Sequence, residues 1–370
     1  MAEPFKNLFN PRGIGRLALA LKTVYPKFDD KGFRRQASAG FEELELKARS
    51  RQIQQGLAGF LPTSFRQTAP IYDRFLDLLE DESRDIPIDA WTLNPMAEHL
   101  GAVGVAKVDR ALELMRRLTV HFTCEFGIRP LLEHDFATCR SILERWLDDP
   151  REEVRRLISE GTRPRLPWGA QLKFLIADPR PMVPLLEALR DDSSETVRRS
   201  VANHLNDIGK DHPELLLDIA ESWMEDASND RRRLVRHACR SLFKAGNPRA
   251  LALHGWNPPK VRDLELKLKN ATVREGGELV FALTFQSVAK KAQELRLDYA
   301  VHYCKANGSL RPKVFCWKKI TIAPGETVGT ERRVSFKPVT TRRLYAGPHR
   351  LDVRLNGSIV GTVDFELVET

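Results

Sequence analysis

The sequence contains no apolar run approaching the ~20 residues that a membrane-spanning helix requires, which excludes an integral membrane protein. Its first residues also lack a basic segment followed by an apolar one, so we expect a cytoplasmic protein that is not exported. The cysteines are scattered and show no CxxC spacing, which gives no zinc signature and favours reduced thiols. They are Cys124, Cys139, Cys239, Cys304 and Cys316.

The familiar motifs of nucleotide-binding and hydrolytic enzymes are absent as well. There is no glycine-rich phosphate loop, no HExxH, no GxSxG and no ordered set of Cys, His and Asn. The Asp and Glu spacing shows no convincing metal cluster, so a nucleic-acid phosphodiesterase is the weakest candidate function. The remaining candidates for catalytic residues are carboxylates and one tryptophan.

Length and charge predict two domains and a polyanionic partner. The chain has 370 residues, 42% hydrophobic and 29% charged, which suits globular domains and argues against wholesale disorder. Residues 257–370 hold 20 of the 59 Lys and Arg but only 12 of the 50 Asp and Glu, which places +8 of the net +9 there. If residues 1–256 also bind a polyanion, their charges must be sorted onto one face.

A helical pattern from about residue 68 to 250 repeats, and its first two copies are offset by 43 residues throughout, while a third copy has a small insertion between its two parts. Periods near 40 are typical of HEAT-like solenoids built from paired helices. We expect the Asp pair of the first two copies to supply N-cap and turn chemistry, and the valine to face the neighbouring repeat. The copies read Trp146-Leu-Asp-Asp149 with Val154-Arg-Arg156, Leu189-Arg-Asp-Asp192 with Val197-Arg-Arg199, and Trp223-Met-Glu-Asp226 with Val235-Arg-His237.

The basic residues that follow each valine are predicted to line one surface. Two interpretations fit this register: a row that binds a polyanion, which we favour, and a solvated face with local Glu–Arg pairs. The expected row consists of Arg155, Arg156, Arg198, Arg199, Arg236 and His237, thickened by Arg231, Arg232, Arg233 and Arg240.

After Trp256 the hydrophobic period changes from helical to alternating. About seven short strands and a two-residue hairpin turn at Leu355-Asn-Gly-Ser358 indicate an immunoglobulin-like sandwich. We therefore predict a mainly α HEAT-like solenoid over residues 1–256 and an all-β sandwich over residues 257–370. The first 65 residues are less readable, with helical stretches such as residues 41–48. The expected strands include Val280-Phe-Ala-Leu-Thr-Phe285, Leu295-Arg-Leu-Asp-Tyr-Ala-Val301, Val314-Phe-Cys-Trp317, Val334-Ser-Phe336 and Leu351-Asp-Val-Arg-Leu355.

Glu125 is a candidate catalytic carboxylate. At helical spacing it shares an apolar face with Leu118 and Phe122, where an unpartnered carboxylate is costly to bury. The alternative interpretation is a helix ion pair with Arg129.

Glu160 is a stronger candidate, because it ends a helix before Gly161 and a carboxylate there opposes the helix dipole. Arg156, Arg163 and Arg165 are the expected compensating charges. The next repeat has Asn203 at the equivalent position. Asp207, near the end of the following helix, is a further but weaker candidate.

Trp168 differs from the other tryptophans of the helical region. Trp146 and Trp223 occupy the repeat position of Leu189 and are expected in the core. Trp168 instead ends the loop Gly161-Thr-Arg-Pro-Arg-Leu-Pro-Trp168, whose prolines disfavour helix. Two interpretations are open for Trp168: it caps the core, or it offers its π-face to a cation or a sugar.

Three stretches resemble the AlkC branch of the HEAT-like alkylpurine DNA glycosylases. They are Thr123-Cys-Glu-Phe126 with Ile128-Arg-Pro130, Leu157-Ile-Ser-Glu-Gly-Thr-Arg-Pro-Arg-Leu-Pro-Trp168, and Glu3-Pro-Phe-Lys-Asn-Leu-Phe9. The resemblance implies removal of cationic N-alkylated purines, chiefly 3-methyladenine, from double-stranded DNA without extrusion of the base. It also implies a solenoid followed by an immunoglobulin-like domain, and a catalytic set of Glu125, Glu160, Trp168 and possible fourth member Asp207.

This chemistry needs no metal or organic cofactor, because the cationic purine is already a good leaving group. We expect a monomer without a lysine nucleophile or strand cleavage, whose basic residues hold DNA phosphates. The phosphate contacts are expected from Arg156, Arg163, Arg165, Arg198, Arg199, Arg236 and His237.

A non-catalytic HEAT scaffold for DNA or an acidic protein is the rival from another class. It shares the repeats and the basic row but has no use for Glu160 or Trp168 in a cleft. Under the scaffold hypothesis, DNA affinity does not depend on alkylation. The charge of residues 257–370 further predicts that this part adds DNA contacts.

Overall fold

The computed structural model describes residues 4–81, 83, 88–338 and 343–369. The opening motif of the resemblance begins at Glu3, which lies outside these residues. Short 3₁₀ turns occur at Phe5–Leu8, Phe41–Glu43, Ala90–Thr92, Val105–Lys107 and Arg180–Met182. The α-helices are α1 Pro11–Val24, α2 Asp30–Ala37, α3 Leu46–Phe60, α4 Phe65–Glu80, α5 Leu93–Gly104, α6 Val108–His121, α7 Arg129–His134, α8 Phe136–Arg145, α9 Glu152–Gly161, α10 Lys173–Ala177, α11 Val183–Ala188, α12 Glu195–Asp211, α13 Pro213–Met224, α14 Asn229–Ala238, α15 Arg240–Ala245 and α16 Pro248–Ala252.

The strands follow the helices in the chain and form two sheets. One sheet has the order β1-β3-β6 and the other β2-β8-β7-β4-β5, with antiparallel pairing except between β2 and β8. Their apolar faces enclose a core that includes Phe281, Phe285 and Phe336. The strands are β1 Val261–Leu268, β2 Thr272–Arg274, β3 Glu278–Ser287, β4 Gln293–Cys304, β5 Leu310–Ile322, β6 Thr327–Ser335, β7 Gly347–Leu355 and β8 Ser358–Val368.

The predicted fold class, a HEAT-like solenoid followed by an immunoglobulin-like sandwich, is therefore confirmed. The two-residue hairpin is confirmed as well, since Leu355 pairs with Ser358 across the turn. Asn356 and Gly357 both have positive φ, at 43° and 79°, which is the backbone that such turns require.

The chain forms two compact units whose boundary falls within the last helices. The first contains Met1–Asp211 and Ser228–Ala238, and the second His212–Ala227 and Cys239–Thr370. A domain boundary at residue 256 stays a prediction.

The repeat register accounts for the core of the helical part. Trp146 and Trp223 are buried, as expected. The three valines of the repeats, Val154, Val197 and Val235, are buried too, with exposures of 1% or less. The aligned positions of the repeats are therefore structurally equivalent.

Two local expectations need correction. The Asp pairs make turns but are not N-caps: Asp149 accepts the amide N–H of Arg151 and Asp192 that of Ser194, two residues on, before each helix begins. Residues 41–48 are not one helix, because the 3₁₀ turn Phe41–Glu43 is followed by an extended Leu44 and α3 begins at Leu46.

No helix among the described residues is long and apolar enough to cross a membrane. All five cysteines are free, and Cys316 alone among them is exposed.

Candidate active site at the ends of two repeat helices

Glu160 sits in the last turn of α9 and is buried, at 6% exposure. Arg163 Nη1 and Ser200 Oγ each donate to its carboxylate at 2.7 Å, and Arg156 Nη2 lies 3.9 Å away. Two of the three expected compensating charges, Arg156 and Arg163, are therefore confirmed. Arg165 instead pairs with Asp211 at 2.7 and 2.8 Å.

Glu125 lies in a turn, so its predicted helical face is wrong. Helix α6 ends at His121, and the chain reaches Glu125 through an extended Phe122. Arg156 Nη2 donates to Glu125 Oε2 at 3.0 Å, and Thr123 Oγ1 donates to the same oxygen at 2.9 Å. The ion-pair partner is thus Arg156 rather than Arg129.

Asp207 is the third candidate carboxylate, and it lies inside α12, which continues to Asp211. Its side chain is 1% exposed and accepts from Arg163 Nε at 2.9 Å and from Lys210 Nζ at 2.7 Å. Since Arg163 also holds Glu160, the guanidinium group bridges the two carboxylates.

These contacts join the three carboxylates into one group, which we call the carboxylate network: Glu125, Arg156, Glu160, Arg163 and Asp207. Burial alone would lower the pKa of Arg163, but the hydrogen bonds and charges of Asp207 and Glu160 raise it above its ordinary value. Arg163 therefore remains a cation inside the protein, where it fixes both carboxylates.

Trp168 is exposed at 60%, which excludes the interpretation that it caps the core. Its φ of 66° lies in the left-handed region that a bulky residue rarely adopts. Such backbone strain persists only where the surroundings enforce it, and it is frequent at functional sites. The strained turn presents the indole to the surface.

Arg129 ties the Trp168 loop to the end of α9. Its Nη1 donates to the carbonyl oxygen of Gly161 at 3.0 Å, and its Nε donates to the carbonyl oxygen of Ala170. The residue is 1% exposed, and burial lowers the pKa of Arg129 to about 10. Arg129 thus joins the chain just after Trp168 to Gly161, the residue that follows Glu160.

Sequence reasoning missed two polar residues beneath the network. His204 is fully buried, and its Nδ1 lies 2.9 Å from the carbonyl oxygen of Ser159; burial lowers the pKa of His204 to about 4. A neutral imidazole therefore donates from Nδ1 to this oxygen. Ser200 receives a hydrogen bond from Ser159 Oγ and passes one to Glu160, at 2.7 Å each. The one signal in the sequence was spacing: His204 lies three residues before Asp207, so both side chains share one face of the helix.

The expected basic row separates into two sets. The first arginine of the first two pairs joins successive repeats: Arg155 pairs with Asp192 at 2.6 and 3.0 Å, and Arg198 pairs with Asp230 at 3.0 Å. Arg116 pairs in the same way with Asp149. We call these three pairs the Arg–Asp ladder.

The second set faces outward. Arg199 is 65% exposed in its side chain and pairs with the equally exposed Glu195. Arg236 and His237 are also exposed, and His237 Nε2 lies 2.9 Å from Asn203 Oδ1.

Some expected phosphate contacts therefore need correction. The side chains of Arg163 and Arg198 are only 7% and 13% exposed and are held in ion pairs, so they are structural cations.

Among the described residues, no group of three or more His, Cys, Asp or Glu is arranged to hold a metal ion.

Comparison with known proteins extends over the whole chain. Residues 262–369 match the family described as "Uncharacterised protein YhaZ, C-terminal Ig-like domain". The uncharacterised protein YhaZ of Bacillus subtilis (strain 168) is 33% identical over 366 residues, covering 98% of this chain and 99% of that protein.

A solved structure is equally similar. It is the alkylpurine DNA glycosylase AlkC of Pseudomonas fluorescens, bound to DNA that contains an abasic site analog. The two chains are 34% identical and superpose with a TM-score of 0.82. The match covers 99% of this chain and 100% of the AlkC chain.

Proposed function

We propose a repair activity for this chain, which belongs to the AlkC family of HEAT-like alkylpurine DNA glycosylases. The activity is hydrolysis of the glycosidic bond of cationic N-alkylated purines, chiefly 3-methyladenine, in double-stranded DNA. The enzyme is monofunctional and leaves the strand intact.

The single observation that carries this proposal is the sharing of Arg156 by two carboxylates. Its Nη2 lies 3.0 Å from Glu125 and 3.9 Å from Glu160, although 35 residues separate the glutamates in sequence. A scaffold gains little from burying like charges together, since each must be desolvated and repartnered. A reaction that develops positive charge on a sugar benefits directly from them.

The reaction requires no acid. When the C1′–N bond breaks, its electron pair goes to the positively charged purine, which leaves as a neutral base. The deoxyribose becomes oxocarbenium-like, and carboxylates stabilise that charge electrostatically. Water then adds to C1′ and gives its proton to a carboxylate.

Trp168 has the exposure needed to meet the damaged nucleoside. An indole face attracts a cation or packs on a deoxyribose, and the attraction is worth about 0.5–2 kcal/mol depending on desolvation. Arg129 holds this loop against the end of α9, the helix that carries Glu160. We infer that the indole and the glutamates act on the same nucleoside. The lesion is engaged without extrusion into a pocket.

DNA is held through its phosphates and without sequence readout, for which the outward set of Arg199, Arg236 and His237 is suited. The described chain offers these exposed groups on consecutive repeats. The C-terminal part, with its net charge of +8, adds further contacts. Removing residues 257–370 should therefore weaken DNA binding at moderate salt.

The test is release of 3-methyladenine from methylated DNA in single turnover. Glu125→Gln and Glu160→Gln should each slow release by about 10²–10³, because the charge is lost while the shape remains. Trp168→Ala should slow it by about tenfold. Glu152→Gln, an exposed glutamate in the first turn of α9, is the matched control and should release the base at the normal rate.

Undiminished release by both glutamine variants of Glu125 and Glu160 would defeat the catalytic assignment. Equal affinity for alkylated and intact DNA, together with no release by the wild type, would favour the scaffold. Melting temperatures of all variants separate a lost charge from a lost fold.

A further inference from the structure

A cavity of about 340 Å³ opens beside Trp168 within the first compact unit. We call it the Trp168 cavity. Its size is at the lower end of the range for small-molecule sites, about 300–1,000 Å³. Four aromatic residues contribute to its lining, which suits a planar ligand: Phe9, Trp91, Phe126 and Trp168.

One wall of the cavity carries a chain of hydrogen bonds that ends in unsatisfied acceptors. Asn94 Nδ2 donates to Ser50 Oγ at 3.1 Å, and Ser50 Oγ donates to Glu98 Oε2 at 3.0 Å. Asn94 Oδ1 is buried and has no hydrogen-bond partner within the described part of the chain. Since the side chain is 6% exposed, this acceptor is desolvated and gains from a donor.

The opposite chemistry is supplied by Arg129, which also lines the cavity. Its Nε and Nη1 are used to hold the Trp168 loop, but Nη2 is buried without a partner among the described residues. A buried guanidinium N–H of this kind is satisfied by a ligand acceptor that reaches the wall.

Glu98 is a second group in the cavity wall that gains from a hydrogen-bond donor on the ligand. Burial raises the pKa of Glu98, while the hydrogen bond from Ser50 and the charges of Lys47 and Arg51 lower it by less. A neutral N–H donor compensates a partly desolvated carboxylate without introducing another charge.

We propose that the Trp168 cavity is a site for a free purine base. The assignment of the excised base as its occupant rests on the proposed glycosylase function. A purine is planar, presents N–H donors to Asn94 and Glu98, and presents ring-nitrogen acceptors to Arg129. Its faces pack on the aromatic lining. Trp168 lines the cavity and lies in the same loop as Arg163 of the carboxylate network, and for this reason we assign the released base as the occupant.

A phosphate or sugar phosphate is a poorer occupant. Glu98 and Glu133 both line the cavity and repel an anion, which opposes the attraction of the Arg129 guanidinium, and the four aromatic side chains favour a planar ligand over a phosphate. Lys47 and Arg51 also contribute to the lining, but both are exposed, where solvent weakens their attraction.

The experiment titrates the full chain, without DNA, with adenine, 3-methyladenine and inorganic phosphate in a calorimeter. Both bases should bind and phosphate should not. Asn94→Ala and Glu98→Gln should each weaken base binding by about threefold to tenfold, the value of one lost hydrogen bond. Glu113→Gln, an exposed glutamate on α6, is the control and should bind as the wild type does.

The purine site is overturned if neither base binds at millimolar concentration, if phosphate binds instead, or if both variants bind bases normally. Thermal melts accompany each variant, and should Asn94→Ala not fold, Glu98→Gln decides alone. An inactive enzyme that binds bases would defeat only the glycosylase function. An active enzyme that binds none would defeat only the purine site.

Discussion

Residues 154–160 and 197–203 occupy the same position in successive repeats but have different surroundings. Both segments begin with a buried valine and an arginine of the Arg–Asp ladder. In the first, Arg156 is 27% exposed and held by Glu125 and Glu160. In the second, Arg199 is 65% exposed, and Asn203 replaces the glutamate and faces His237.

The comparison distinguishes the positions that build each repeat from the positions that supply a functional site. The valine and the first arginine are used alike in both repeats, because each repeat must bury the same face and join its neighbour. The second arginine is present in both repeats, but the residue four positions later is Glu160 in one and Asn203 in the other. The charged site therefore occurs in the repeat whose helix ends in a glutamate.

The strongest way to break this comparison is to remove the second arginine from each repeat. Arg156→Ala should slow single-turnover base release by about 30- to 100-fold, because Glu125 and Glu160 lose their shared partner and their positions. Arg199→Ala should leave the chemical step within about twofold, since its ion-pair partner is the exposed Glu195. Equal losses in the rate of base release in both variants would show that the two arginines have the same role.

The first arginines sharpen the comparison by their similarity. Arg155→Ala should lower the free energy of unfolding by about 1–3 kcal/mol, because a buried carboxylate loses its partner. Arg198→Ala should lower it by about 0.5–1 kcal/mol, because the side chain of its partner Asp230 is 49% exposed and solvent weakens the pair. Asp192, which Arg155 holds, is 5% exposed. Urea denaturation measures both losses, and a loss below about 0.5 kcal/mol in either variant would contradict a common structural ladder.

The Arg155 effect should depend on pH. Burial would raise the pKa of Asp192, but hydrogen bonds from Arg155 and Ser194 and the charge of Arg198 hold it below its ordinary value. A depressed carboxyl pKa stabilises the fold above the unfolded pKa of about 4, and this contribution is lost as pH falls through the folded value. The stability gap between wild type and Arg155→Ala should therefore be full at pH 7 and shrink below pH ~4. A gap that grows in acid would contradict the ion pair.

The smallest expected effect concerns the exposed arginine of the second repeat. Arg199→Ala should reduce the slope of log affinity against log salt by about 1 for undamaged duplex DNA, as one phosphate contact would. Glu144→Gln changes charge on an exposed helix position outside the row and should leave the slope within error. An unchanged slope in Arg199→Ala would remove this residue from the DNA interface.

The sequence predicted the repeats and the sandwich well because both follow from short-range periodicity. The repeat register placed Trp146, Trp223 and the valines in the core, and alternation located the strands. It failed at Glu125, where apolar neighbours at helical spacing hid a turn after His121. It also assigned Arg163 to phosphates, since charge in a sequence does not report burial.

The amino-acid sequence by itself determined which residues build each repeat, because hydrophobic spacing and turn chemistry act over a few residues. It also marked Glu160 as unusual through its unfavourable place at a helix end. Only the tertiary structure decided that Glu125, Glu160 and Asp207 share two arginines, and that Trp168 stands exposed on a strained turn. The physical reason is that ion pairing and burial depend on distances between segments 30 to 80 residues apart, which no local pattern encodes.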